Sequence, residues 1–95
     1  MASSTMMRPF FAGIDVNNRI SNDPTSFTAT VDCYAVVTHS NFGGDMHLYL
    51  DDVEIAGVYY GTTTVSSAVF IVPIRAGQTI RKTGAGMHMA IYGLL

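Results

Sequence analysis

The stretch Ala68-Val-Phe-Ile-Val-Pro-Ile-Arg-Ala-Gly-Gln-Thr-Ile80 decides how this chain is read. Its opening run, Ala68 to Val72, is apolar at every position, too short to span a membrane and too β-branched for a comfortable helix. Consecutive apolar residues on a strand point to both of its faces, so both faces require cover. In a chain of 95 residues one face can be met by a sandwich core, and the other calls for a partner subunit. Pro73 follows, Arg75-Ala76-Gly77 turns the chain, and a new alternating strand runs from Gln78 to Lys82.

Working outward, the same punctuation recurs. Arg8 to Val16 predicts a first strand weakened or bulged at Gly13, and Asn17-Asn18 and Ser21-Asn22-Asp23-Pro24 read as turns. Ser26 to Val31 alternates Phe27, Ala29 and Val31 against Thr28 and Thr30. Cys33 to His39 places Cys33, Ala35 and Val37 on one face and Tyr34 and Val36 on the other. Asn41-Phe42-Gly43-Gly44 is a loop. Met46 to Leu50 and Val53 to Val58 predict a hairpin about Asp51-Asp52, with Leu48, Leu50, Val53 and Ile55 inward. Tyr59-Tyr60-Gly61 and Thr62 to Thr64 lead into the apolar run. After a turn at Thr83 to Gly86, Met87, Met89 and Ile91 alternate against His88, Ala90 and Tyr92 in a closing strand ending at Leu94.

About eight short strands with regular turns, and no apolar period of 3.6 residues, define an all-β chain: a jelly-roll-like sandwich of antiparallel strands. Residues 1–7 read as a flexible lead-in and residues 8–95 as one sandwich domain. Only 13% of residues are charged, against about 25% in ordinary globular proteins, which again points to apolar surface buried between chains. The net charge of −2 argues against nucleic acid as a partner. No segment has the length for a membrane insertion, and the N-terminus lacks the pattern of a signal peptide. A single cysteine, Cys33, leaves no intrachain disulfide and reads as a buried small residue.

Three phrases occur in order: Ser26-Phe-Thr-Ala-Thr-Val-Asp-Cys-Tyr-Ala-Val36 with Val37, Leu48-Tyr-Leu-Asp-Asp-Val-Glu-Ile55, and Ile71-Val-Pro-Ile-Arg-Ala-Gly-Gln-Thr-Ile80. Together they resemble the C-terminal domains of bacteriophage tail-fibre and receptor-binding proteins, which share a C1q/TNF-like jelly roll. The likeness covers roughly residues 20–95. The chain departs from it at Thr30 and Cys33, where the family carries Pro and Gly, and at Asp51-Asp52, where it carries Asn-Gly. The resemblance implies a homotrimer on the virion, at the tip of a tail fibre beside other tail or fibre proteins, binding a host cell-surface receptor or glycan.

For receptor contact the residues themselves offer Asn41 and Phe42, His47 and Tyr49, and Tyr59 and Tyr60. Tyrosine stacks on sugar rings and hydrogen-bonds hydroxyls at low entropic cost. No catalytic set is legible. Asp52 and Glu54 share a strand face beside a turn, where acids are common because turns are solvated. His39, His47 and His88 are the candidates for a metal site in a cupin-like enzyme, but no metal-ligand spacing joins them and surface or interface positions suit them better. No cofactor and no enzymatic activity are expected. The alternative to adhesion is a structural knob, decoration or trimerisation cap without a ligand.

Overall fold

The computed structural model describes residues 13–39, 46–58, 68–84 and 86–95. They form eight strands: β1 (Ile14–Asn22), β2 (Ser26–Thr28), β3 (Cys33–His39), β4 (Met46–Leu50), β5 (Val53–Val58), β6 (Ala68–Ile74), β7 (Thr79–Thr83) and β8 (Met87–Leu94). These build two antiparallel sheets of four, in the orders β1-β8-β3-β6 and β2-β7-β4-β5. β4 pairs with β5, β3 with β6, β2 with β7 and β1 with β8, as if one long hairpin had been folded over itself. That nesting is the jelly-roll connectivity.

Strand alternation explains the core. Cys33, Ala35 and Val37 on β3 lie beside Ile74, Val72 and Phe70 on β6, and Ala35 and Val37 also face Ile91 and Met89 on β8. Met46 and Leu48 on β4, with Ile80 on β7, close the core from the opposite sheet. Cys33, Ala35, Val37, Met46, Leu48, Ile74, Ile80, Met89 and Ile91 are all fully buried.

The turns carry their own chemistry. Asp51 and Asp52 both have positive φ, 50° and 65°, the requirement of a two-residue type I′ turn. Aspartate tolerates this conformation better than most residues, which is how Asp-Asp can stand where Asn-Gly is usual. Asp51 is also tied into β7: its Oδ1 accepts from the Thr79 amide at 2.9 Å, and its own amide donates to Thr79 O at 2.8 Å. Asp52 is 93% exposed at its side chain and lies 3.9 Å from the Arg81 guanidinium. Asp52→Gly should therefore raise stability by about 0.5 kcal/mol by relieving the left-handed backbone. Asp51→Gly should lower it by about 1 kcal/mol through lost hydrogen bonds. Thermal melts of the two variants moving in opposite directions check this. Between β6 and β7, Gln78 N donates to Arg75 O at 3.0 Å with Gly77 at φ 94°, a type II turn that needs glycine at that place.

Four features differ from the sequence reading. β1 starts at Ile14 and runs straight through Asn17-Asn18, because register shifts between Asp15 and Arg19 take up these residues as a bulge rather than a turn; Arg8–Ala12 lie outside the described residues, as does the lead-in. β2 stops at Thr28, so Ala29 is buried while Val31 is exposed, the alternation ending with the strand. On β5 Ala56 stands opposite Leu48 and packs against the core, a register shift leaves Ile55 as the extra residue, 43% exposed, and Val53, opposite Leu50 at the turn end of this edge strand, is 64% exposed. Finally, β6 continues through Pro73 to Ile74 and lies at an edge of its sheet, where a residue without an N–H is tolerated.

Candidate functional site

The two outward faces of the sandwich differ in charge. On the β1-β8-β3-β6 sheet, β3 presents Tyr34, Val36 and Thr38, β6 presents Val69, Ile71 and Pro73, and β8 presents His88, Ala90 and Tyr92. No Lys, Arg, Asp or Glu stands among them. Tyr34 and Ala90 are already shielded by neighbours, whereas Val69 and Ile71 are 62% and 57% exposed. The first charge met is Arg19 on β1, whose guanidinium lies 5.3 Å over the Tyr92 ring and donates to its hydroxyl at 2.7 Å.

The exposed side of the β2-β7-β4-β5 sheet is polar over β2, β7 and β4, while its edge strand β5 also exposes Val53 and Ile55. His47 and Tyr49 of β4 point outward because Met46 and Leu48 point into the core. Cross-strand pairing sets Arg81 of β7 against one side of Tyr49 and Glu54 of β5 against the other. The Arg81 guanidinium lies 4.2 Å from the Tyr49 ring centroid, a cation–π contact that holds the phenol in place. His47 Nδ1 is 3.3 Å from Glu54 Oε1, and its ring is 6.2 Å from that of Tyr49. Thr28 and Thr79 share a hydroxyl hydrogen bond of 2.8 Å further along the face.

Of the residues expected to contact a receptor, the structure thus brings His47 and Tyr49 together. Asn41, Phe42, Tyr59 and Tyr60 lie outside the described residues. The strand ends that bracket them can be placed: His39 pairs with Ala68 and Met87, and Met46 with Val58. The short β7–β8 connection brings Thr83, and with it this end of the second sheet, to the same pole. Gly13 and Leu95 hydrogen-bond at the opposite pole, at 2.9 Å.

The three histidines do not converge. His39 is buried on the core side of β3 and stacks on Phe70 with centroids 6.0 Å apart, His88 is exposed on the apolar sheet, and His47 lies on the polar one. Among the described residues no group of His, Cys, Asp or Glu is arranged to hold a metal ion. Asp52 and Glu54 are likewise separated in role, one at a solvated turn and the other against His47. Burial pushes the Cys33 thiol above its ordinary range, with Asp32 adding to the shift, so Cys33 is an unreactive core residue.

Two buried or half-buried ion pairs fix the poles. Lys82 faces inward from β7, paired with Leu48 across the sheet; its side chain is 11% exposed, and its ammonium reaches Asp23 Oδ1 and the Met87 carbonyl. Asp32 accepts from the Ala76 amide at 3.0 Å and from Arg75 at 2.9 Å. The Lys82 hydrogen bond, then that of the Met89 amide, hold the Asp23 carboxyl below its ordinary value; the Ala76 amide, then Arg75, do the same for Asp32. A depressed folded-state pKa contributes stability that is complete above the ordinary value of 3.8 and is lost as pH falls through the folded value. Stability should therefore fall on acidification below about pH 4, and Asp23→Asn with Asp32→Asn should flatten that slope at a cost of about 1 kcal/mol each at neutral pH. Urea titrations at stepped pH measure it.

Sequence reading missed Arg81 and Glu54 as parts of the polar face. Alternation places both outward on their strands, but only the non-local pairing of β7 and β5 with β4 sets them around Tyr49. Among the described residues no helix is long and apolar enough to cross a membrane. Comparison with protein-family models, curated proteins and solved structures returns no match to this chain.

Proposed function

We propose that this chain is a virion adhesion domain at the tip of a bacteriophage tail fibre, acting as a homotrimer that recognises a host cell-surface receptor such as a glycan. The observation that carries the self-association is the uncharged outward face of β3, β6 and β8, with Val69 and Ile71 open to solvent in the single subunit. A face with exposed Val69 and Ile71 and no Lys, Arg, Asp or Glu supports an interaction site, and such a face suits a second copy of itself better than a charged partner. The polar outward face, with His47 and Tyr49, stays available to the receptor, and three rigidly held copies gain avidity from weak single contacts. The resemblance of the three sequence phrases supplies the fibre-tip setting and the other tail or fibre proteins as neighbours.

Light scattering across a dilution series tests the assembly, and adsorption of the purified protein to host cells tests the function. A stable mass of three chains together with saturable adsorption is the expected result. A folded monomer that adsorbs to no cell overturns the reading. The same apolar face equally favours a structural knob or trimerisation cap, which would give the trimer without adsorption.

A further inference from the structure

Resting on the adhesion reading, we propose that the outward face of β4 and β7 centred on Tyr49 binds an uncharged saccharide. The side chains that flank Tyr49 are the reason. On one side stands a fixed donor, the Arg81 guanidinium 4.2 Å from the ring centroid; on the other stands an acceptor, Glu54, cross-strand to Tyr49 and 3.3 Å from His47 Nδ1. Neighbouring hydroxyls of a sugar both donate and accept, so a donor and an acceptor on either side of one aromatic residue match a polyol, and the part of the phenol that the guanidinium does not cover adds its hydroxyl and an apolar surface for C–H groups.

Charge balance selects against ionic ligands. Arg81 is the sole Lys or Arg on this face among the described residues, since Lys82 turns inward, and it stands with Asp52 at 3.9 Å and with Glu54 across Tyr49. An anion would meet two carboxylates for each guanidinium, and a cation would meet the guanidinium over the ring. The threonine hydroxyls of Thr28 and Thr79, and Thr83 opposite His47, extend the hydrogen-bonding surface without adding charge. Ring and guanidinium are ordered against each other before any ligand arrives, which lowers the entropy lost on binding.

The experiment is a titration of the isotopically labelled protein, followed by amide chemical shifts, with galactose, glucose, mannose and N-acetylglucosamine. Inorganic phosphate and N-acetylneuraminic acid serve as anionic probes. Saturable shifts confined to β4, β5 and β7, with an affinity on the order of millimolar for one site, are expected from at least one neutral sugar. Tyr49→Ala and Arg81→Ala, both at part-exposed positions, should weaken that binding by about tenfold or more while the rest of the spectrum keeps its folded dispersion. Shifts from the anions alone, shifts that survive Tyr49→Ala, or no saturable shift with any neutral sugar overturn the proposal. Host-cell adsorption separates the two levels. Wild-type adsorption that persists in Tyr49→Ala overturns this site and leaves the adhesion reading standing, whereas wild type that never adsorbs overturns the adhesion reading itself.

Discussion

Ile71→Asp should convert the proposed trimer into a folded monomer. Ile71 sits on the outward face of β6, opposite Val36 on β3, and is 57% exposed in the single subunit. The subunit therefore loses little by the change: surface substitutions cost within about 0.5 kcal/mol, and aspartate adds a strand-propensity penalty of about 1 kcal/mol. The assembly loses far more. A carboxylate carried into an apolar contact without a partner costs several kcal/mol, and symmetry repeats it at each subunit. Light scattering should report one chain mass with near-native circular dichroism. Ile71→Thr, which keeps a β-branched side chain, isolates the charge from the strand propensity. Val31→Asp, at an exposed apolar position in the β2–β3 connection, should leave the mass unchanged. A trimer that survives Ile71→Asp would move the subunit interface off this face.

That prediction grows from a stretch whose meaning was only half legible in the sequence. Alternation along β3, β4 and β8 grouped Cys33, Ala35 and Val37, then Leu48, then Met87, Met89 and Ile91 on the faces that are buried, because strands buried on one face write their period directly into residue type. The apolar run of β6 announced that both faces were apolar, but not that β6 would lie at an edge with Pro73 inside the strand. Edge or centre is a property of the whole pairing order, and no local window contains it. Asn17-Asn18 failed for a related reason: turn chemistry and bulge chemistry use the same residues, and only the partner strand β8 decides between them. The inward assignment of Ile55 failed through a single register shift, which leaves it as the extra residue between Glu54 and Ala56, while Val53 does stand opposite Leu50 and is exposed at the turn end of the edge strand β5. The polar face shows the same limit. His47 and Tyr49 could be seen as outward-facing neighbours, yet Arg81 lies 32 positions beyond Tyr49 and meets it only because β7 pairs with β4.

Leu48→Ala should produce the largest loss of stability, about 2–5 kcal/mol, because it removes a fully buried side chain and leaves a cavity. A domain of this size has about 5–15 kcal/mol in total, so the variant approaches the point of unfolding, with a melting temperature lower by about 10 °C or more. Leu48→Met, which conserves volume, should cost less than about 1.5 kcal/mol and thereby separates the cavity from the mere change of side chain. The position matters beyond packing. Leu48 lies between His47 and Tyr49 on β4, pointing inward where they point outward, so the packing of one residue holds its neighbours at fixed places on the polar face. The proposed saccharide contact at Tyr49 should accordingly survive Leu48→Met and disappear in Leu48→Ala together with the folded signal. Leu48 and Ile71 stand in different sheets on opposite sides of the core, with no shared partner in the strand pairing. Their effects on the isolated subunit should therefore add to within about 0.5 kcal/mol. In the proposed assembly they should not add, because association of folded subunits raises apparent stability with concentration. A melting temperature that rises with concentration for Leu48→Ala alone, and becomes independent of concentration once Ile71→Asp is added, would place folding in the core of the sandwich and assembly on its outward face.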